Sequence, residues 1–286
     1  GFSSILKSGE VGFTTNGTQE FSEIFDGRFF AFPKPVDLIK KLIEQSTSER
    51  DTILDFFGGS GTTTQAVLEL NKEDGGNRKF ILVQMPEQCD EDSEAYKAGY
   101  KTIADIAKER IRRVIEKIKN EVIASEAKQS QGNLLEATGF ASSQTPRNVS
   151  KSDLGFKVFK LSPSNFKIWQ GSEIDSEDKL VQQMDAFTNP TRPGAEKQNM
   201  LYELMLKAGR ELTGKVEYIL PRPLGEGRGE GFYSINNNEL IIALDAMNQK
   251  LIEQIIASKP QKVITLDSLF TGNDQLKTNT VLQMRD

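Results

Sequence analysis

The sequence predicts an α/β protein of two domains, and three observations carry that prediction. From Thr52 to Met85 an apolar run, a glycine turn, a helix-compatible segment and a second apolar run follow one another without interruption. The same alternation returns late in the chain as "ELIIALDAMNQKLIEQIIASKPQKVITL". Between the two lies a polar, small-residue stretch, and 286 residues suffice for two cores of ordinary size.

Composition narrows the function classes. A charged fraction of 27% and a hydrophobic fraction of 37% fit a globular protein, and no run approaches the roughly 18 apolar residues of a membrane span. Nothing at the amino end reads as a signal peptide, so a cytoplasmic location with no membrane attachment is expected. A net charge of -5 argues against coating nucleic acid by bulk attraction while leaving room for a local basic face. The absence of histidine excludes imidazole bases and histidine metal ligands within the chain, and no metal site is expected. The single cysteine, Cys89, sits in "PEQCDEDSE", where carboxylates oppose the thiolate; it reads as structural, and no disulfide framework is possible.

The elements follow in order. "FPKPVDLIKKLIEQ" places Pro35 where a helix can begin, with Val36, Ile39, Leu42 and Ile43 on one face. "TILDF" is a strand, "TTTQAVLEL" a helix, "NKEDGGNRK" a turn and "FILVQM" a second strand. This is a βαβ unit whose parallel strands imply a sheet covered on both faces. In "IADIAKERIRRVIEKIKNEV" the stripe Ile103, Ile111, Val114, Ile118 and Val122 faces the core. Lys108, Arg110, Arg112, Arg113, Lys117 and Lys119 fall largely outside it, as a solvated face in preference to a DNA-contacting one. Residues 1–122 form the first domain. Residues 123–152 are weakly periodic and read as a linker or insertion. The second domain, 153–286, opens with short β-like runs in "GFKVFKLSPSNFKIW" and continues through a helix, "EKQNMLYELMLKAG". It carries a loop insertion at 220–231, "LPRPLGEGRGEG". That loop and "VIASEAKQS" resemble peptides translated from small mobile repeat elements of bacterial genomes, a reading that fails if the coding DNA lacks inverted repeats there.

Three nucleotide motifs compete for "DFFGGSGTTT". A phosphate loop of the Walker type needs lysine after its last glycine, where Gly61 is followed by Thr62 and Thr63. A dinucleotide fingerprint places its third glycine where Thr64 stands. The third pattern, Phe-x-Gly-x-Gly after a strand ending in Asp, is met by Asp55, Phe57, Gly59 and Gly61. It resembles the S-adenosylmethionine (AdoMet) motif of amino-group DNA methyltransferases. The glycines would let backbone approach the ligand, and amides opening the next helix at Thr62 would receive a carboxylate. Gln84, or Glu87 nearby, stands where a polar group for the ribose belongs; the family usually has an acidic residue in the place of Gln84. A glycine turn serving strand–helix packing alone is the competing reading.

The resemblance extends outward. Phe32, Lys34 and Pro35 match the segment that precedes the glycine motif in the same enzymes, and "GFTTNGTQEFSEIF" resembles the stretch after their target-recognition region. "LGFKVFKLSPSNFKIW", "LYELMLKAG" and "VITLDSLFTGNDQLKTN" resemble the C-terminal region of modification subunits of type III restriction-modification systems. The resemblance implies part of a Rossmann-like AdoMet-dependent methyltransferase sheet followed by a smaller α/β domain. It also implies adenine-N6 methylation of double-stranded DNA, a dimer of modification subunits and a restriction (Res) subunit as partner. No Asp-Pro-Pro-Tyr loop or its Asn or Ser variants occurs, so no catalytic residue is assigned and a C-terminal fragment, inactive alone, is expected. C5-cytosine chemistry is disfavoured by the setting of Cys89; cytosine-N4 methylation shares the architecture. A nucleotide-dependent oxidoreductase and a noncatalytic assembly module are the alternatives. Trp169, Phe166, Asp274, Lys277 and Asn279 fit either assembly contacts or local packing.

Overall fold

The computed structural model describes residues 6–135, 153–220 and 231–284. The chain divides into two compact units, Gly1–Phe156 and Lys157–Asp286, and is mixed α/β. Of the expected linker and loop insertion, residues 136–152 and 221–230 lie outside the described residues.

In the first unit, short α1 (Ser8–Val11) leads to α2 (Thr14–Phe25), which buries Gly17, Phe21 and Phe25 along one line. The Phe21 and Phe25 rings stack at 4.4 Å, and with Cys89, Ala95 and Ile106 they form one core cluster. Helix α3 (Val36–Ser46) has Pro35 as its N-cap. It buries Val36 and Ile43 and half-buries Ile39, while Leu42, expected on that face, is exposed because it lies about 120° around the helix from Val36. Strand β1 (Thr52–Asp55), helix α4 (Thr62–Asp74) and strand β2 (Lys79–Leu82) make the expected parallel unit, in the register Ile53↔Phe80 and Leu54↔Ile81.

Only one face of this sheet is covered. Ile53 and Phe80 pack with Ile43, Val67 and Leu70, and Leu82 packs with apolar residues from further along the chain. The other face leaves Leu54, Phe56, Ile81 and Val83 exposed, which corrects the expectation of burial on both sides. Among the described residues the sheet has two strands, and every apolar side chain of that face is at least 45% exposed.

After α5 (Glu94–Lys97) comes α6 (Ile103–Leu135), whose Ile106, Ile111, Val114, Ile115 and Ile118 are buried. Two expectations change here. The helix runs on through residues read as linker, since Ala, Glu, Lys and Gln propagate an established helix at little cost. Arg110, placed on the solvated face, is fully buried; it lies one turn from both Ile106 and Val114 and so shares their line.

The second unit carries α7 (Glu177–Phe187) and α8 (Lys197–Lys207), then β3 (Val216–Ile219), β4 (Phe232–Ile235), β5 (Leu240–Ala243), α9 (Gln249–Ala257), β6 (Val263–Thr265) and α10 (Asp274–Gln283). The four strands are ordered β3-β4-β5-β6, antiparallel except for β5 with β6. Central β5 is buried at every residue: Leu240 and Ile242 face Met200, Leu201 and Met205 of α8, whereas Ile241 and Ala243 face Leu251, Ile252 and Ile255 of α9. Ile219 pairs with Phe232, so the expected insertion joins the two ends of an antiparallel pair. The β-like runs of "GFKVFKLSPSNFKIW" form no strand; Val158, Phe159 and Leu161 are exposed, and only Phe166 makes a bridge, to Thr191. Trp169 lies edge-on to Phe187, Phe166 packs against the α8 cluster, and Asp274 opens α10, on which Lys277 pairs with Asp267.

Candidate cofactor site at the glycine turn

The turn after β1 is built by three glycines with three tasks. A Cβ at Gly58 would collide with the Leu82 side chain, so this glycine lets the turn lie on β2, and its amide continues the ladder to the Val83 carbonyl at 3.0 Å. Gly61, at φ +82, caps α4 and turns its bare Cα towards α6, where a Cβ would lie 3.4 Å from the Ala107 carbonyl oxygen. Gly59, at φ +50, is the open one: its nearest neighbour would be the Phe30 ring edge at 3.5 Å.

Polar side chains brace the backbone. Asp55 accepts from the Phe57 amide at 3.0 Å and from the Thr63 hydroxyl at 2.5 Å. Gln84 accepts from the Gly59 amide at 2.8 Å and donates to the Met85 carbonyl at 3.1 Å. Its amide oxygen, expected on a ribose, therefore already fixes the turn. The amides of Ser60, Thr62, Thr63 and Thr64 meet no acceptor among the described residues, as at any helix start with no side-chain cap.

Beneath the turn lies Arg110. Its Nε donates to Gln65 at 2.8 Å, and one terminal nitrogen donates to the hydroxyls of Ser60 at 2.8 Å and Thr62 at 2.7 Å. The other, Nη2, is buried without a partner. Burial pulls the guanidinium down to about 10, against the opposing pull of Glu20 and Glu69. Its plane also faces the Phe21 ring at 5.5 Å.

The remaining predicted residues border this centre. Phe57 is 83% exposed and Phe32 is 80% exposed, so both rings are free of the core. Lys34 is exposed and Pro35 is buried. The stretch between them is held from α2: Glu20 accepts from the Val36 amide at 2.9 Å, and Gly17 lies against the backbone of Pro33–Pro35. Glu87 is exposed; burial first, then Asp105 and Glu87, raise the Cys89 thiol, which makes that thiol a poor nucleophile. Asp55, Phe57, Gly59, Gly61, Thr62 and Gln84 thus converge on one turn, whereas among the described residues Phe32, Lys34 and Glu87 make no hydrogen bond or ion pair with it.

Residues 11–95 match the DNA methylase family N6_N4_Mtase. The EcoP15I Mod subunit of Escherichia coli, a type III restriction-modification enzyme, is 28% identical over 93% of this chain and 36% of its own length. The chain is similar to type III modification subunits. The StyLTI Mod subunit of Salmonella typhimurium is 46% identical over 36% of the chain and 16% of its own length. The type II methyltransferase M.KpnI of Klebsiella pneumoniae is 38% identical over 35% of the chain and 24% of its own length. The chain thus spans about a third or less of the curated relatives it matches. Gly17, Glu20 and Arg110 support the site, although no sequence motif above gives them a role in it. For Arg110 the signal was present, since Ile106, Arg110 and Val114 recur at i, i+4 and i+8.

Proposed function

We propose that the chain holds AdoMet for a Rossmann-like, adenine-N6-specific DNA methyltransferase of a type III restriction-modification system. The observation that carries this reading is the turn itself: an open glycine at φ +50, uncapped amides opening α4 and an exposed aromatic ring beside them. Such a turn suits a ligand with one anionic group and a flat base. AdoMet supplies a methyl group on a sulfonium, activated for attack by an amine.

The chain's own residues orient that group. The α4 amides from Thr62 onward and Lys34 favour the carboxylate, and Phe57 and Phe32 border the cavity. Asp55, Gly61 and Gln84 keep the turn in shape, which leaves the exposed Glu87 carboxylate as the better acceptor for ribose hydroxyls. Acceptors for the adenine amine and the extrusion of the base from the duplex require residues outside this sequence, which has no Asp-Pro-Pro-Tyr loop. Residues 1–122 then act as the cofactor-binding part and 153–286 as an assembly domain, in a dimer that engages double-stranded DNA and a Res subunit. The chain alone is inactive.

Calorimetric titration tests the reading. AdoMet is expected to bind the chain, and Gly59→Asp to abolish binding by placing a carboxylate in the open space above the turn. Retained affinity in the variant, or binding of NAD in place of AdoMet, overturns it.

A further inference from the structure

We infer that Arg110 is a positioning residue of the cofactor turn, one that sets the aim of the α4 amides without touching the ligand. The inference rests on the AdoMet reading above and extends it to a helix outside the family-matched span of residues 11–95.

Burying a guanidinium completely is costly, and it is usually offset by a carboxylate. Arg110 is 0% exposed, and no acidic group lies within ion-pair distance of it among the described residues. Its bonds go to three neutral acceptors, Ser60, Thr62 and Gln65. A leucine or methionine would fill the same space between Ile106 and Val114 with no charge to bury, so packing does not account for the arginine. What it provides is geometry. The planar fork ties two hydroxyls of the turn and one amide a turn further along α4 to a single rigid group. Ser60 and Thr62 flank Gly61, whose left-handed backbone has no side chain to hold it in place. Fixing both neighbours fixes the direction of the amides that follow.

The same charge reaches the other cofactor segment. Glu20, whose carboxylate holds the Val36 amide just beyond Pro35, lies within electrostatic reach of Arg110. One buried cation therefore biases both stretches that the reading assigns to AdoMet, and its positive field adds to that of the α4 amino end. The unpartnered Nη2 leaves this cation with undischarged donor capacity beside the site.

The test compares the wild-type chain with Arg110→Met, Arg110→Lys and the double variant Ser60→Ala/Thr62→Val, which keeps the arginine but removes its hydroxyl acceptors. AdoMet affinity is measured by calorimetry well below each melting temperature, and amide exchange is followed across residues 59–64. The expected result is a loss of affinity of about tenfold or more in Arg110→Met and in the double variant, with partial recovery in Arg110→Lys. Faster exchange at the turn amides is expected to accompany it. Combining Arg110→Met with the double variant should add little, because both remove one interaction. A folded Arg110→Met or double variant that binds AdoMet as the wild type does overturns the inference and leaves the AdoMet reading standing, even if its melting temperature falls. A wild-type chain that does not bind AdoMet overturns both. If Arg110→Met does not fold, the double variant decides the matter.

Discussion

Gly17 illustrates how one residue can hold a site segment it never enters. In a helix interior glycine costs roughly 1 kcal/mol relative to alanine, so Gly17→Ala ought to stabilise α2 if space allowed. It does not allow it: a Cβ there would overlap the Pro33 carbonyl oxygen and lie 2.7 Å from the Lys34 carbonyl carbon. Gly17→Ala is therefore expected to lower stability by roughly 1–3 kcal/mol and to displace the Phe32–Pro35 segment. Gly9→Ala, which meets nothing within 4 Å, serves as the control in thermal unfolding. Equal melting points for the two variants would refute the packing argument. At this scale the sequence was legible where chemistry is local. The glycine turn and Pro35 depend on near neighbours in the chain, whereas the Cys89 thiol is raised first by burial and then by Asp105, which the carboxylates beside it in the sequence do not announce. Gly17 and Arg110 act across 16 and 45 or more positions on partners that only the fold brings together, and a count of charges on a helix face cannot report that.

At the scale of elements, Glu203 on α8 governs the stretch that was misread as strand. Its carboxylate accepts from the Asn165 amide at 2.7 Å, the Asn165 side chain at 2.9 Å and the Ser164 hydroxyl, and it pairs with Lys207. Burial alone would raise its pKa, but Lys207, Ser164 and Asn165 outweigh burial and hold it at about 2. The folded value lies below the unfolded one, so the contribution to stability is complete above 4.5 and is lost as pH falls towards about 2. Glu203→Gln is expected to cost about 2 kcal/mol at neutral pH, after allowance for partial solvent contact, and to flatten the acid limb of stability in that window. Urea unfolding at pH 7 and pH 3 checks this; a constant difference between the two proteins contradicts it. The short β-like runs around Val158 form no strand because such a run becomes a strand only when an edge is available to pair with. The four-residue β3 and β4 were missed for the converse reason: they are too short to show a period, though they pair well. Three consecutive asparagines, Asn236 to Asn238, all with positive φ, were a turn signal that went unread.

Across the whole molecule the first unit poses an imbalance that no residue or element resolves. Parallel strands are ordinarily buried on both faces, and a two-stranded sheet has little stability of its own. Here the face formed by Leu54, Phe56, Ile81 and Val83 is open, at exposures of 45–65%. The proposed function gives that face an occupant. The part of a modification subunit that bears the Asp-Pro-Pro-Tyr loop must stand near the cofactor, and the open face begins at the same strand end as the glycine turn. Ile81→Lys separates the two roles of this surface. In the isolated chain the side chain is half in water, so the substitution should change stability by within about 0.5 kcal/mol and leave AdoMet affinity intact. Mixed with a polypeptide carrying the Asp-Pro-Pro-Tyr half of a type III modification subunit, the wild-type chain is expected to co-purify with it and restore methyl transfer to DNA. Ile81→Lys should do neither, because a lysine ammonium would be buried without a partner. If the variant complements as well as the wild type, the complementing polypeptide docks elsewhere and the bare face needs a different explanation. If the wild type binds AdoMet but fails to complement while folded, the chain is a cofactor-binding remnant, and the apolar face is then a liability for aggregation rather than a seat for a partner.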